Sequence, residues 1–143
     1  MASKDKLDNT YMSMAQVLAK LSHAVKRKVG CLIVKDTQII AEGYNGTPRG
    51  FDNKCEYLDT VDQLWTKDEV LHAETNAITK LARSTNSSEG STLYVTCCPC
   101  FNCAKLIIQS GIERVVYLQN YRNMDGLDLL HKAGVEITHI KEN

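Results

Sequence analysis

Residues 92–118, TLYVTCCPCFNCAKLIIQSGIERVVYL, read as strand, helix, strand. Thr92 to Thr96 has the β-branched and aromatic composition of a strand. Pro99 stands where the first turn of a helix tolerates a missing amide, and Ala104, Ile107 and Ile108 share one face of a helix over Cys100 to Ser110. Gly111 stands where that helix should be capped. Arg114 to Leu118 returns to strand composition.

The same alternation continues on both sides. Downstream, Leu127 to Lys132 reads as a helix closed by Gly134, and Val135 to Ile140 as a last strand. Upstream, His72 to Arg83 has helical spacing and ends in the polar linker Ser84 to Gly90. Val29 to Lys35 and Gln38 to Tyr44 are apolar runs separated by Asp36-Thr37, the spacing of a hairpin. Asn45-Gly46-Thr47-Pro48-Arg49-Gly50 breaks both periodicities and marks an ordered loop. In Phe51 to Val70 the pattern predicts only a short helix around Thr60 to Leu64. Met14, Val17, Leu18 and Leu21 recur at helical spacing in a first helix, Leu7 to Leu21, and this stripe is expected to pack on the core. The order predicts one domain over residues 1–143, a three-layer α/β/α fold with a mixed five-stranded sheet.

Seventeen basic and seventeen acidic residues cancel, and no long block of like charge appears. This argues against a nucleic-acid partner and for a small-molecule substrate. No apolar run reaches membrane length, and Met1 to Asp8 lacks the apolar core of a signal peptide. The expected location is the cytoplasm, or the host-cell cytoplasm for a viral chain. Six cysteines in a reducing compartment are read first as metal binding or catalysis.

The chemistry-bearing residues are His72-Ala73-Glu74 and Pro99-Cys100-Phe101-Asn102-Cys103, both at expected helix starts. Helical spacing brings Cys100 and Cys103 to one face, and first-turn amides favour their thiolates. With His72 they make three zinc ligands, which leaves the fourth tetrahedral position open, as catalytic rather than structural zinc requires. Glu74 lies too far round its helix to be an obvious fourth ligand but can enter the same pocket as proton shuttle. Two other readings compete. Cys97, Cys98, Cys100 and Cys103 could form a four-cysteine structural knot, or Cys100 and Cys103 a redox pair. Neither gives His72-Ala73-Glu74 a purpose. Cys31 reads as a buried apolar residue and Cys55 as a loop residue. His23, His131 and His139 read as surface or helix-edge positions.

The pairing of H-x-E with P-C-x-x-C is the signature of zinc-dependent base deaminases. From about Val29 onward the chain resembles the deoxycytidylate deaminase family of the cytidine deaminase-like superfamily. The resemblance is carried by Gly43-Tyr44-Asn45-Gly46-Thr47-Pro48, by His72-Ala73-Glu74-Thr75-Asn76-Ala77-Ile78, by Thr92 to Thr96 and by Pro99 to Lys105. It implies hydrolysis of dCMP to dUMP and ammonia by a zinc-bound hydroxide, feeding thymidylate synthesis. His72, Cys100 and Cys103 would hold Zn2+ and Glu74 would move the protons. Asn45 would hold the deoxyribose, and the Ala73 amide would meet the pyrimidine O2. The resemblance also implies a homo-oligomer, often a hexamer, with dCTP and dTTP as effectors and Mg2+ accompanying the effector nucleotide. A dCMP/dCTP deaminase is the alternative, followed by a deaminase of tRNA adenosine or single-stranded nucleic acid. With no glycine-rich phosphate cradle present, Arg27, Lys28, Arg49, Tyr121 and Arg122 are the phosphate candidates. Lys28 and Tyr121, at strand ends, are favoured.

Overall fold

The computed structural model describes residues 2–141. Its elements in chain order are α1 (Lys4–Ala19), β1 (Gly30–Lys35), β2 (Gln38–Tyr44), β3 (Glu56–Leu58), β4 (Leu64–Thr66), α2 (Ala73–Ala82), β5 (Thr92–Cys97), α3 (Phe101–Gln109), β6 (Arg114–Gln119), α4 (Asp125–Lys132) and β7 (Glu136–His139). Five strands form one sheet in the order β2-β1-β5-β6-β7. β1 pairs antiparallel with β2 and β5, whereas β5, β6 and β7 run parallel. The sheet is therefore mixed. Asp36 and Thr37 both take positive φ, the twist a two-residue hairpin turn requires. Gly111 and Gly134 take positive φ just beyond α3 and α4, the left-handed conformation that ends a helix.

Strand alternation divides the core into two layers. Cys31, Ile33, Leu93, Val95, Val115 and Tyr117 face one way, into the cluster with α2, α3 and α4. Leu32, Val34, Tyr94, Val116 and Leu118 face the other way, against Met12 and Ala15 of α1. Residues two apart on a strand share a face, so each central strand feeds both layers.

The face that α1 buries is not the expected one. Met14, Val17 and Leu21 are 41%, 63% and 56% exposed, and Leu18 is half-buried. Asp8, Met12, Ala15 and Ala19 are buried instead. The physical reason is the closeness of helix and sheet: a Cβ on Gly30 would lie 2.0 Å from the Ala15 carbonyl oxygen. Beside Gly30 only the small side chains of Ala15 and Ala19 fit, so the face that carries them outcompetes a more apolar one.

The second departure is a two-stranded sheet, β3 with β4, where a short helix over Thr60 to Leu64 is expected. Asp59 decides it. Its Oδ1 accepts from the amides of Val61 and Gln63 (3.0 and 2.9 Å), and its Oδ2 accepts from Trp65 Nε1 (2.7 Å). An aspartate that bonds the next backbone amides makes a turn, not a helix interior. His139 is an exposed residue of strand β7, in line with its reading as a surface position, with its ring stacked on Tyr117 at 4.4 Å.

One glycine fixes the helix that carries the candidate site. A Cβ on Gly43 would lie 2.5 Å from the Ala73 carbonyl oxygen and 2.7 Å from the Ala77 amide nitrogen. Both atoms are backbone, so α2 itself must move. Gly43→Ala is expected to cost about 1–3 kcal/mol, read as a lowered urea midpoint.

Candidate active site

His72 and Cys100 are the N-cap residues of α2 and α3, two neighbouring helices whose starts open onto one cavity of about 150 Å³. Cys103 lies in the first turn of α3. The two thiols thus come from the cap and the first turn rather than from one regular helical face. His72 Nδ1 lies 3.4 Å from Cys100 Sγ and 3.3 Å from Cys103 Sγ, and all three donor atoms lie within 4.8 Å of one another. Tetrahedral zinc with bonds of about 2.0 Å to nitrogen and about 2.3 Å to sulfur separates such donors by roughly 3.5 Å. The donor set and spacing fit that ion.

The electrostatics favour a cation at this point. Cys100 is driven well below an ordinary thiol because the Cys103 side chain, the His72 imidazole and the Cys103 amide all stabilise its thiolate. Cys103 is driven the opposite way by the neighbouring thiolate and by burial. The two thiols are thus driven in opposite directions by each other's presence, and a dication beside both would remove the conflict. Thr75 Oγ1, 3.9 Å from Cys103 Sγ, lowers that thiol slightly in return. His72 is raised, chiefly by its hydrogen bond to Cys100.

Glu74 is 4% exposed and lines the same cavity without belonging to the donor cluster. Burial pushes its carboxyl up to about 7, against the pull of its own backbone amide and of His72. A carboxyl balanced near neutrality can both take and give a proton. Ala73 is fully buried in the wall, and its amide belongs to the first turn of α2, where no intrahelical acceptor exists.

The remaining cysteines have other neighbours. Arg27 Nη1 donates to Cys97 Sγ (3.0 Å), the Tyr121 amide donates to Cys98 Sγ (3.0 Å), and Cys31 is wholly buried in the core. Burial raises the Cys97 thiol against the pull of Arg27. Cys55 is buried between the cavity and the Asn53 carbonyl. Among the described residues, the one group of three or more potential metal donors is His72, Cys100 and Cys103. A four-cysteine knot is not formed.

The other candidates divide. Asn45 and Tyr121 line the cavity, but Lys28 does not; Lys26 and Arg27 do. Lys28 is exposed, as are Arg49 and Arg122, neither of which lines the cavity. Lys26 and Arg27 reach the cavity while Lys28 does not, and the direction of this segment past the cavity was not legible from position alone. Asn45 has a structural task as well. Its Oδ1 accepts from the Val29 amide (2.9 Å) and its Nδ2 donates to the Arg27 carbonyl (2.8 Å). Any sugar contact must use the carboxamide's second lone pair or second hydrogen. Cys97 was marked beforehand only as a possible metal ligand, and nothing in the sequence pointed to its contact with Arg27 or to that of Thr75 with Cys103.

A mixed sheet between two helical layers, with an N/S donor triad at paired helix starts beside a buried carboxylate, defines an α/β/α domain built for an open metal site. A model of the cytidine and deoxycytidylate deaminase zinc-binding region matches residues 5–119, and the chain belongs to that family. It is 39% identical over 139 residues to a deoxycytidylate deaminase of Schizosaccharomyces pombe, covering 91% of this chain and 42% of that protein. The chain thus spans less than half the length of this fungal relative. It is 33% identical to the deoxycytidylate deaminase of Enterobacteria phage T4, with 92% and 89% of the two chains covered. The crystal structure of dCMP deaminase from cyanophage S-TIM5 in complex with dCMP and dUMP superposes with a TM-score of 0.90 at 40% identity, covering 97% of this chain and 100% of that one. Among the described residues, no helix is long and apolar enough to cross a membrane.

Proposed function

We propose that the chain hydrolyses the 4-amino group of dCMP, giving dUMP and ammonia for thymidylate synthesis. The observation that carries this reading is Glu74, a buried carboxyl inside the donor-lined cavity yet outside the donor cluster. A purely structural metal site has no use for such a group. The likeness to the cyanophage enzyme, whose crystals contain dCMP and dUMP, supports the substrate class.

In this reading His72, Cys100 and Cys103 hold zinc. The ion supplies the Lewis acidity that makes water nucleophilic near neutral pH. Glu74 accepts the proton released as the nucleophile adds at cytosine C4 and delivers it to N3; it then takes the second proton from the new C4 hydroxyl and passes it to the departing amino nitrogen, so that ammonia leaves as the C4 carbonyl forms. The Ala73 amide donates to the pyrimidine O2 and Asn45 holds the deoxyribose side of the cavity. Tyr121 and Arg27 face the phosphate, with Arg27 replacing Lys28 because it lines the cavity. The reading extends to a homo-oligomer, a hexamer, that dCTP activates and dTTP inhibits with Mg2+.

Zinc content is expected to be about one per chain, and Cys100→Ala or His72→Ala should abolish it, as read by atomic absorption. Turnover of deoxycytidine, dCMP, dCTP and CMP is to be measured side by side, with and without dCTP, dTTP and Mg2+. Fastest turnover of dCMP is expected. Turnover confined to oligonucleotides would overturn the reading, and a preference for dCTP would reassign the phosphate count.

A further inference from the structure

We infer that Cys97 is a positioning residue for phosphate recognition: with the Tyr121 ring, its sulfur holds the Arg27 guanidinium at the cavity wall, where it binds the 5′-phosphate of the nucleotide. The inference rests on the cytosine-nucleotide reading above for the identity of the substrate. It adds a residue that is neither a metal donor nor a proton carrier.

Arg27 is held at both ends. Its carbonyl accepts from Asn45 Nδ2 at 2.8 Å, and the loop before it is pinned where Glu56 Oε2 accepts from the amides of Val25 and Lys26 (2.9 and 3.1 Å). At the other end, Nη1 donates to Cys97 Sγ at 3.0 Å and the guanidinium carbon lies 5.7 Å from the Tyr121 ring centroid. Arg27, Cys97, Tyr121 and Asn45 all line the cavity that holds Glu74. An arginine on a surface loop ordinarily samples many rotamers, and fixing it in advance lowers the entropic cost of binding.

Its free edge faces an anion's chemistry. Among the described residues no carboxylate lies within 4.0 Å of Arg27, and Nε and Nη2 have no protein acceptor. A planar fork with one nitrogen anchored and the other two open matches two oxygens of a phosphate. The neighbouring cation, Lys26, is engaged elsewhere, 5.8 Å from the Trp65 ring centroid.

The test is steady-state kinetics of the zinc-loaded full chain with dCMP and deoxycytidine, together with calorimetric binding of dUMP and deoxyuridine. Arg27→Ala is expected to lower kcat/KM for dCMP about ten- to hundredfold more than for deoxycytidine, mainly through KM. Cys97→Ala should reproduce part of that selective loss, with zinc content unchanged. Cys97→Ser, whose hydroxyl still accepts from Nη1, should restore most of it. In the Arg27→Ala background, Cys97→Ala should add nothing. Equal losses for both substrates, or a Cys97 effect that persists without Arg27, would overturn the inference. Wild-type protein that deaminates deoxycytidine as readily as dCMP keeps the deaminase reading but overturns phosphate recognition. Protein that turns over neither substrate and binds dUMP no better than deoxyuridine overturns both.

Discussion

Replacing Glu74 with glutamine should leave zinc content at about one per chain while lowering kcat on the order of 10³-fold or more. The side chain keeps its shape, and the cavity around it is already formed by Ala73, His72 and Cys100. Nothing in the donor cluster changes, because Glu74 is not a member of it. What disappears is a group that can gain and lose a proton beside the donor cluster. The carboxyl's position near neutrality is a product of burial, which a carboxamide has no means to imitate. Zinc analysis beside single-turnover deamination of dCMP checks the result. A zinc-loaded, fully active Glu74→Gln protein would remove the proton-shuttle role.

The largest expected effect on stability lies on the opposite face of the sheet. Asp8 of α1 and Arg114 of β6 form a two-point ion pair, Nη1 to Oδ1 at 2.8 Å and Nη2 to Oδ2 at 2.6 Å, and Tyr94 donates to Asp8 Oδ1 at 2.7 Å. Asp8 and Arg114 are 4% and 9% exposed. Asp8→Ala therefore leaves a guanidinium largely out of water without its main partner. Breaking a buried pair this way costs about 3–5 kcal/mol, or roughly 10–17 °C in Tm. Thermal unfolding checks it, and a loss below about 1 kcal/mol would mean that Glu136 and Thr138 suffice to hold Arg114.

The same pair gives stability a pH dependence of known sign. Burial alone would raise the Asp8 carboxyl, but hydrogen bonds from Arg114 and Tyr94 outweigh it, and the group titrates below the ordinary aspartate value. A carboxyl depressed in the folded state stabilises the fold above its unfolded pKa of about 3.9, and that contribution is lost as pH falls through the folded value. Urea midpoints should thus drop in acid more steeply for the wild type than for Asp8→Ala.

Tyr94 and Arg114 sit in strands expected from composition, yet nothing near Asp8 in sequence announced its partner. A carboxylate in the first helix reads as solvated because charged side chains seldom enter cores unpaired. The stripe Met14, Val17, Leu21 misled for a related reason. Helical periodicity identifies a face but not the space available to it, and here the close approach at Gly30 selected Ala15 and Ala19 instead. The β3–β4 hairpin depended on the three hydrogen bonds to Asp59, one of them from a side chain six residues away.

Sequence alone determined the strand and helix order of the five-stranded sheet, the ends of α3 and α4, and the grouping of His72, Cys100 and Cys103 with Glu74. Those features depend on side chains a few residues apart along one element, or on a donor spacing that zinc itself dictates. Only the tertiary structure decided which face α1 buries, that Arg27 rather than Lys28 reaches the cavity, and that Cys97 faces Arg27 rather than a metal. These are settled by distances between elements far apart in the chain, and such distances follow from how closely whole layers pack rather than from any local pattern.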